Sequence, residues 1–394
     1  MSARPIRIGF DARLAGSRHA GIGRYAENLL HFLLTTVTEY ENQPVEWVVF
    51  ISPEHDLDWL LPLAEKNPAV TIQTVTIRHY SLAEQFIWPR VLWKAELDLV
   101  HVPHFNVPVL YLRPYTVTIH DLLWHQQRDP RATTLLPWVH RLKYGAYRLV
   151  STIAIRRAQY VFVPSKVVRK EVTQYTGRIK HIGVTYEGVG EPYRSATVTE
   201  SSFPKQSTPK KERAPYVVYT GSLYPHKNVE VVLRALRLLP KFQLKLAGAR
   251  SVFSERFLEQ AERYQVACQV EWLGYVPDSE LIALYRQSVA VIQPSLSEGF
   301  GLTGLEALAT GTPVVASDRP IFHEIYGEHA QYFPARDGLV LSQMLSEMES
   351  SAPTLTDRRR FRRHALEFDW HQTGEQTWEK MQRVLHKIRS SAQT

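Results

Sequence analysis

Residues 294–317, PSLSEGFGLTGLEALATGTPVVAS, decide the fold of this chain. The apolar run VAVIQP at 289–294 is typical of a buried parallel strand, and three glycines between 299 and 304 separate it from the helical pattern LEALA. Gly311 and Pro313 then predict the end of the helix, and VVAS begins another strand. The stretch therefore predicts one βαβ step of a parallel sheet, with a glycine-rich loop at its C-terminal edge.

That glycine-rich loop has the features of a phosphate site. Glycine lets the backbone approach a ligand closely, and the N–H groups at a helix start attract an anion. Glu298 and Glu306 stand on either side of the loop, and a phosphate would repel them, so they more naturally accept hydrogen bonds from sugar or ribose hydroxyls. A plainer interpretation stays open, in which Glu298 complements the helix N-terminus and Glu306 is a surface residue.

The segment EGFGLTGLE at 298–306, followed by ALATGTPVVA, resembles the E-x7-E signature of the retaining glycosyltransferases of family four, which have the GT-B fold. The resemblance implies that Glu298 contacts the transferred sugar and that Glu306 binds the ribose. It also implies that the diphosphate is held by three loop N–H groups, those of Phe300, Gly301 and Leu302.

A second motif, GSLYPHKN at 221–228, follows the predicted strand 216–220. A lysine in a strand-to-helix loop is a compact point charge for a diphosphate, and Lys227 matches the donor-binding lysine of the family. Ser222 and His226 stand where many relatives have arginine. The resemblance therefore implies that the donor diphosphate is bound mainly by Lys227 and the loop N–H groups. A surface lysine without a role is the plainer alternative.

The same motif is similar to the GTLEPRKN loop of many bacterial mannosyltransferases, which favours GDP-mannose as the donor. Tyr224 replaces the glutamate of that loop, and a UDP-sugar is the close alternative.

In the first half, the strand 6–12 opens into a loop containing Gly21 and Gly23, before a helix predicted from Tyr25. This loop resembles the family's N-terminal loop, whose glycines approach the donor phosphate and the acceptor, although a glycine pair before a helix also suits a simple turn. The strand 115–121 ends in His120, which matches the family's histidine near the sugar and the scissile bond. The alternative is a histidine that ties down a strand end.

Three further histidines, His101, His104 and His125, lack metal-ligand spacing, and we interpret them as structural or acceptor-facing. We therefore expect no metal and no cofactor besides the nucleotide-sugar substrate. The single cysteine, Cys268, rules out an internal disulfide and is most simply a small buried hydrophobe.

A net charge of +8 indicates an anionic partner: nucleic acid, an anionic membrane or a phosphorylated substrate. No zinc-finger or RNA-binding signature occurs, so we expect no nucleic-acid partner. The predicted helix 135–157 interleaves basic and aromatic residues, which suits peripheral contact with an anionic membrane but equally a solvated basic face. Without an 18-residue apolar run or a signal peptide, we expect a cytoplasmic protein and leave open a peripheral position at the inner membrane face.

Strand and helix patterns alternate on both sides of a polar, proline-bearing segment, 196–215, which reads as a linker. The resemblance implies an N-terminal acceptor-side Rossmann-like domain at 1–195 and a nucleotide-sugar-binding one at 216–368, the two facing each other across a cleft. The resemblance to GT-B proteins implies that the last segment, 369–394, is a crossover helix packing on the N-terminal domain.

The resemblance to family four implies one expected function, a retaining hexosyltransferase that moves a sugar, with mannose favoured, from a nucleotide diphosphate to a glycan or lipid-linked acceptor. The resemblance implies a front-face mechanism in which His120, Glu298 and Lys227 act on the reacting groups. Alternatives are a UDP-sugar-dependent transferase of the same family, a nucleotide-sugar epimerase of the same fold and a basic nucleic-acid-binding protein.

Overall fold

The computed structural model describes residues 4–16, 20–54, 58–122, 137–177, 179–203 and 214–393. These residues form two compact units. The first contains described residues up to 187 together with the C-terminal segment from 370, and the second contains those of 188–369.

The first unit is built on a mainly parallel sheet. Its strands are β1 (Ile6–Asp11), β2 (Glu39–Tyr40), β3 (Gln43–Ile51), β4 (Val70–Thr74), β5 (Leu99–Val102), β6 (Tyr115–Thr118), β7 (Tyr160–Val163) and β8 (Ile182–Val184). The parallel order is β4-β3-β1-β5-β6-β7-β8, and β2 pairs antiparallel with the start of β3. The order reverses direction between β1 and β5, so polar residues that follow these two strands meet at one edge of the sheet.

Helices cover the faces of this sheet, because each helix has an apolar stripe that packs against the strands and a polar side that faces water. They are α1 (Ala20–Thr36), α2 (Leu61–Lys66), α3 (Leu82–Phe86), α4 (Trp88–Lys94), α5 (Pro137–Arg157), α6 (Lys166–Thr176) and, at the C-terminus, α15 (Trp370–Gln393). Met381 and Leu385 of α15 share a core cluster with Leu29 and Leu33 of α1. The final helix is therefore an integral part of the first unit.

The second unit has an entirely parallel sheet in the order β11-β10-β9-β12-β13-β14. Its strands are β9 (Tyr216–Thr220), β10 (Gln243–Ala247), β11 (Val270–Gly274), β12 (Ala290–Gln293), β13 (Val314–Ser317) and β14 (Ala330–Phe333). The order reverses between the central strands β9 and β12. Both sheets are Rossmann-like, which confirms the predicted α/β fold class.

Eight helices of the described residues surround the second sheet: α7 (Glu191–Ser195), α8 (Glu230–Leu236), α9 (Val252–Arg263), α10 (Asp278–Gln287), α11 (Leu302–Ala309), α12 (Pro320–Tyr326), α13 (Gly338–Ser350) and α14 (Leu355–Ala365). The helix predicted from the LEALA pattern is α11, which begins three residues earlier than Leu305. No helix in the described ranges is both long and apolar enough to cross a bilayer.

Three local features differ from the predicted pattern. The predicted N-terminal domain extends to residue 195, whereas α7 groups with the second unit because the Tyr193 hydroxyl donates to Asp278 (2.7 Å) and Arg362 donates to the Tyr193 carbonyl (3.1 Å). The helix predicted from Tyr25 begins at Ala20, and Cys268 is exposed rather than buried. Residues 204–213 of the predicted linker lie outside the described residues.

The early start of α1 places Gly21 and Gly23 in its first turn, in two different environments. A Cβ at Gly23 would overlap the carbonyl oxygen of Gly16, whose N–H in turn donates to the Gly23 carbonyl at 3.3 Å. A Cβ at Gly21 would meet nothing within 4 Å. Close packing of the protein's own backbone therefore requires glycine at 23 but not at 21.

We predict that Gly23→Ala lowers the free energy of unfolding by about 1–3 kcal/mol, because the methyl group forces the Gly16 backbone to move. Gly21→Ala is the matched control, and it should leave stability unchanged or raise it by up to about 1 kcal/mol through better helix propensity. Urea unfolding of both variants makes the comparison. Equal destabilisation by the two substitutions would contradict this account of the first turn.

Candidate active site

The loops that follow β9 and β12 are joined by side-chain and backbone hydrogen bonds. After β9, residues Pro225–Lys227 form a 3-10 turn, and Asn228 takes a left-handed conformation with φ 54°. The Asn228 amide donates to the carbonyls of Pro294 (2.9 Å) and Ala335 (2.6 Å), while the Leu296 N–H donates to the His226 carbonyl (2.8 Å). The turn that carries Lys227 is thereby fixed against the segment that carries Glu298.

Lys227 and Glu298, which stand 71 residues apart in the sequence, form an ion pair in the structure. The Lys227 Nζ lies 2.6 Å from Glu298 Oε1, and the Ser295 hydroxyl donates to the same oxygen at 2.6 Å. Burial alone would raise the pKa of the Glu298 carboxyl, but the charge of Lys227 and the two hydrogen bonds outweigh it and hold that pKa below its usual range. The Glu298 carboxyl is therefore ionised at neutral pH.

His226, next to Lys227, is a neutral group at pH 7. Burial, reinforced by the neighbouring Lys227 charge, lowers the pKa of its imidazole to about 4. The ring stacks on Tyr224 with centroids 5.8 Å apart. Of the two residues, only Lys227 carries a positive charge at neutral pH.

The glycine-rich loop leads directly into α11. Gly301 caps this helix with φ 95°, a conformation that favours glycine, and its carbonyl accepts a hydrogen bond from the Tyr326 hydroxyl at 2.5 Å. A Cβ at Gly301 or at Gly304 would overlap that hydroxyl. The first bond of the helix runs from the Leu305 N–H to the Gly301 carbonyl, so the N–H groups just before Leu305 point out of the helix start, as in anion-binding helices.

Three further residues of the predicted donor site belong to the second unit and lie on the loops after β9 and β12 or in α11. Phe300 is buried and packs on Phe368 with centroids 5.8 Å apart. Ser222 is half-buried, and its carbonyl accepts from the Tyr219 hydroxyl at 2.6 Å. Glu306 in α11 is 1% exposed, so the alternative that it is a surface residue is wrong. Its contact with a ribose stays a prediction.

All of these residues follow β9 or β12, the two strands between which the order of the sheet reverses. In open α/β sheets, ligands bind in the crevice outside the carboxyl ends of the strands at this point. The second unit thus places a lysine, a carboxylate and a glycine-capped helix start where a ligand with both phosphate and hydroxyl groups would fit.

His120 belongs to the first unit and follows β6. Its Nε2 donates to the Pro103 carbonyl at 3.1 Å, and its Nδ1 lies 3.3 Å from Glu187 Oε1. The ring contacts the edge of Tyr25 with centroids 4.6 Å apart. These contacts link the ends of β5, β6 and β8, as expected for a histidine that ties down strand ends, and its role in sugar transfer stays a prediction.

The histidines interpreted as structural or acceptor-facing are buried where they are described. Burial lowers the pKa of His101 to about 3 and that of His104 well below its usual value. His125 lies outside the described residues. Across the described ranges, no group of three or more His, Cys, Asp or Glu residues is arranged to hold a metal ion.

Several residues that shape the site carried no recognisable signal in the sequence. Ser295 orients Glu298, Asn228 locks the lysine turn, Tyr326 supports the glycine loop and Glu187 contacts His120. Only Asn228 offered a hint, because asparagine is tolerated in the left-handed conformation. Tyr326 and Glu187 act through contacts between distant segments, whereas Ser295 lies three residues before Glu298 and depends on the local shape of the loop.

A comparison with protein families finds that residues 201–349 match the model described as "Glycosyl transferases group 1". The match spans the loops after β9 and β12, including Lys227, Glu298 and α11. The chain contains a group 1 glycosyltransferase domain. The protein is therefore a glycosyltransferase, and the predicted enzyme class is confirmed.

Among curated proteins, the chain is similar to the O-antigen chain mannosyltransferase RfbU of Salmonella typhimurium, with 26% identity over 283 residues that cover 71% of this chain and 72% of that protein. It is also 30% identical over 168 residues to the O-antigen chain mannosyltransferase B of Escherichia coli, covering 41% of this chain and 44% of that protein. The second match thus spans less than half of the relative's length.

Solved structures share the fold of the glycosyltransferase over nearly its whole length. A sucrose-phosphate synthase from Thermosynechococcus elongatus superposes with a TM-score of 0.72 at 17% identity, covering 97% of this chain and 100% of that one. Anabaena Alr3699/HepE in complex with UDP-glucose gives a TM-score of 0.70 at 20% identity, covering 95% and 99%. These likenesses confirm the GT-B fold.

Proposed function

We propose that this glycosyltransferase transfers mannose, with retention of configuration, from GDP-mannose to a glycan or lipid-linked acceptor. The observation that carries the proposal is the Lys227–Glu298 ion pair beside the glycine-capped start of α11, at the point where the strand order reverses. The similarity to O-antigen mannosyltransferases supports mannose as the sugar and a glycan as the acceptor.

In this proposal Lys227 binds the diphosphate of the donor while it keeps Glu298 in place. An ammonium group has three N–H donors, so one can remain on the carboxylate while the others bind phosphate oxygens. His226 is uncharged at neutral pH, so the positive charge that this turn contributes comes from Lys227. The N–H groups of the loop at Phe300, Gly301 and Leu302 supply the remaining stabilisation, and Glu306 takes the ribose.

Glu298 is assigned to the sugar rather than to nucleophilic attack. Its Oε1 is already engaged by Lys227 and Ser295, which leaves Oε2 to accept a hydrogen bond from a sugar hydroxyl. A carboxylate paired with an ammonium group at 2.6 Å is a weak nucleophile, which favours a front-face reaction over a glycosyl-enzyme intermediate.

In the front-face reaction, the bond between the anomeric carbon and the diphosphate oxygen breaks, while the acceptor oxygen bonds to the same face of that carbon. The proton of the acceptor hydroxyl moves to the departing diphosphate oxygen, whose charge Lys227 and the loop N–H groups stabilise. His120 is proposed to orient the sugar, and no divalent metal is required. An inverted anomeric centre in the product would contradict this mechanism.

The donor prediction is tested by a thermal-shift panel of UDP, GDP and ADP with their common sugar conjugates, with and without a chelator. A nucleotide at one hundred times its dissociation constant should stabilise the fold by about 2.7 kcal/mol. We expect GDP and GDP-mannose to raise the melting temperature of the wild type, with the chelator present or absent, and to lose this effect in Lys227→Ala.

The matched control for that experiment is Lys245→Ala. Lys245 is also ion-paired and is exposed to 22%, close to the 23% of Lys227, but it lies within β10 rather than in a loop at the edge of the sheet. The Lys245→Ala variant should still show the nucleotide-induced rise in melting temperature. A shift with UDP conjugates alone would favour the UDP-sugar alternative, and a shift that survives Lys227→Ala would contradict the assignment of Lys227 to the diphosphate.

The surface of the first unit supports a peripheral contact with an anionic membrane, which would place the enzyme at the cytoplasmic face near a lipid-linked acceptor. Helix α5 carries five Arg or Lys residues and no Asp or Glu, and it exposes Leu142 (69%) and Leu149 (59%). The Arg157 guanidinium of α5 donates to the Val109 carbonyl at 2.7 Å, which ties the loop bearing Leu112 (72% exposed) to this helix. Basic and apolar side chains together suit an interfacial site.

We predict that the protein sediments with vesicles containing phosphatidylglycerol but not with pure phosphatidylcholine vesicles. The double variant Leu112→Ser/Leu142→Ser should weaken binding about tenfold, because two leucine side chains no longer enter the interface. The control, Leu238→Ser/Leu339→Ser, changes two exposed leucines of the second unit and should bind as the wild type does. Equal binding to both kinds of vesicle, or equal losses in the two double variants, would contradict the proposal.

A further inference from the structure

Tyr80 holds an unusual backbone conformation in the first unit. Its φ is 61°, in the left-handed region that a bulky aromatic residue rarely adopts, yet its side chain is 68% exposed. An exposed tyrosine gains little from burial, so packing of the ring does not explain the strain. Such strain persists only where the surrounding structure imposes it, and it concentrates at ligand sites.

A buried carboxylate imposes this conformation on Tyr80. The Tyr80 N–H donates to Glu84 Oε2 at 2.6 Å, and Glu84 is fully buried. Glu84 Oε1 accepts from the Arg13 guanidinium at 3.0 Å, and the same guanidinium donates to Asp11 at 2.7 and 2.8 Å. Removing one partner from such a buried charge cluster leaves an unpaired buried charge and is strongly destabilising, so the cluster is a firm support for the Tyr80 backbone.

The exposed ring of Tyr80 stands beside buried polar atoms. Its hydroxyl lies 3.2 Å from His104 Nε2, and its ring contacts the rings of His104 and Phe105 with centroids 5.9 and 6.2 Å apart. Within the described part of the chain, His104 Nδ1 and His79 Nε2 are buried without a hydrogen-bond partner. Buried polar atoms of this kind are costly unless something else satisfies them.

The position of this group in the fold fits a ligand site. Tyr80 follows β4, and His104 follows β5, which is one of the two strands between which the order of the first sheet reverses. Arg13, which supports the group, follows β1, the other of these strands. The group therefore lies at the carboxyl edge of the sheet, where ligands of open α/β sheets bind.

We propose that Tyr80, His79 and His104 form a saccharide subsite of the first unit, in which the Tyr80 ring packs on one face of an acceptor sugar and the imidazole nitrogens bond to its hydroxyls. This inference rests on the proposed function in taking the sugar to be part of the acceptor. A flat aromatic face with imidazole nitrogens beside it suits a sugar ring, because such a ring offers an apolar face together with hydroxyls that both donate and accept.

The test is saturation-transfer NMR with the methyl α-glycosides of mannose, glucose, galactose and N-acetylglucosamine. At least one glycoside should receive saturation from the wild type and from Tyr80→Phe, which keeps the ring face. Tyr80→Gly should weaken that binding about three- to tenfold, the size expected for loss of one aromatic contact. Glycine accepts the left-handed conformation, so this variant should fold without penalty.

Gln265→Gly is the matched control, because Gln265 is also an exposed residue with φ 61° but lies in the second unit, after α9. It repeats the backbone change without removing a ring from the proposed subsite, and it should bind the glycosides as the wild type does. The proposal is overturned if no glycoside binds the wild type or if Tyr80→Gly binds as tightly as the wild type.

Failure of the subsite and failure of the proposed function give different results in these variants. Nucleotide-induced thermal shifts depend on Lys227 in the second unit, and Tyr80→Gly should leave them unchanged. Glycoside binding that requires Tyr80 without any nucleotide shift would keep the subsite and reject the nucleotide-sugar donor. A normal nucleotide-induced thermal shift, together with glycoside binding that is the same in the wild type and in Tyr80→Gly, would keep the nucleotide-sugar donor and reject the subsite.

Discussion

The ion pair between Lys227 and Glu298 joins the loops after β9 and β12, and the proposed donor site depends on this contact. Each partner alone would be a poor element of the site: an isolated buried carboxylate would take up a proton, and a lysine on a 3-10 turn could adopt many rotamers. Paired at 2.6 Å, the carboxylate stays ionised and the ammonium group stays in place. Asn228 and Ser295 add the hydrogen bonds that fix the two backbones around the pair.

The sequence contained enough information to predict the fold class and to propose Lys227 and Glu298 as residues of the candidate site. Apolar runs such as VVAS are buried strands, and the order of strands and helices predicts parallel sheets because parallel strands need helical crossovers. Lys227 and Glu298 were predicted from separate motifs, and the structure brings them into contact. The resemblance to family four supplied their roles, which spacing alone does not provide.

Other features could not be predicted, because they arise from contacts between distant segments. The close approach of the Gly16 carbonyl to Gly23, in the first turn of α1, is encoded by no local pattern. The glycines at 301 and 304 are explained by the Tyr326 hydroxyl, which belongs to a later helix. Likewise, the left-handed backbone of Tyr80 follows from a buried cluster that joins the ends of strands far apart in the sequence.

The most direct test of the central claim is hydrogen–deuterium exchange with and without GDP-mannose. If Lys227, Glu298 and the start of α11 form the donor site, exchange should slow in peptides covering 221–228 and 295–304, because the ligand binds the loop N–H groups and orders both loops. The effect should disappear in Lys227→Ala. Unchanged exchange in both peptides, at a ligand concentration that raises the melting temperature, would contradict the claim that these loops hold the donor.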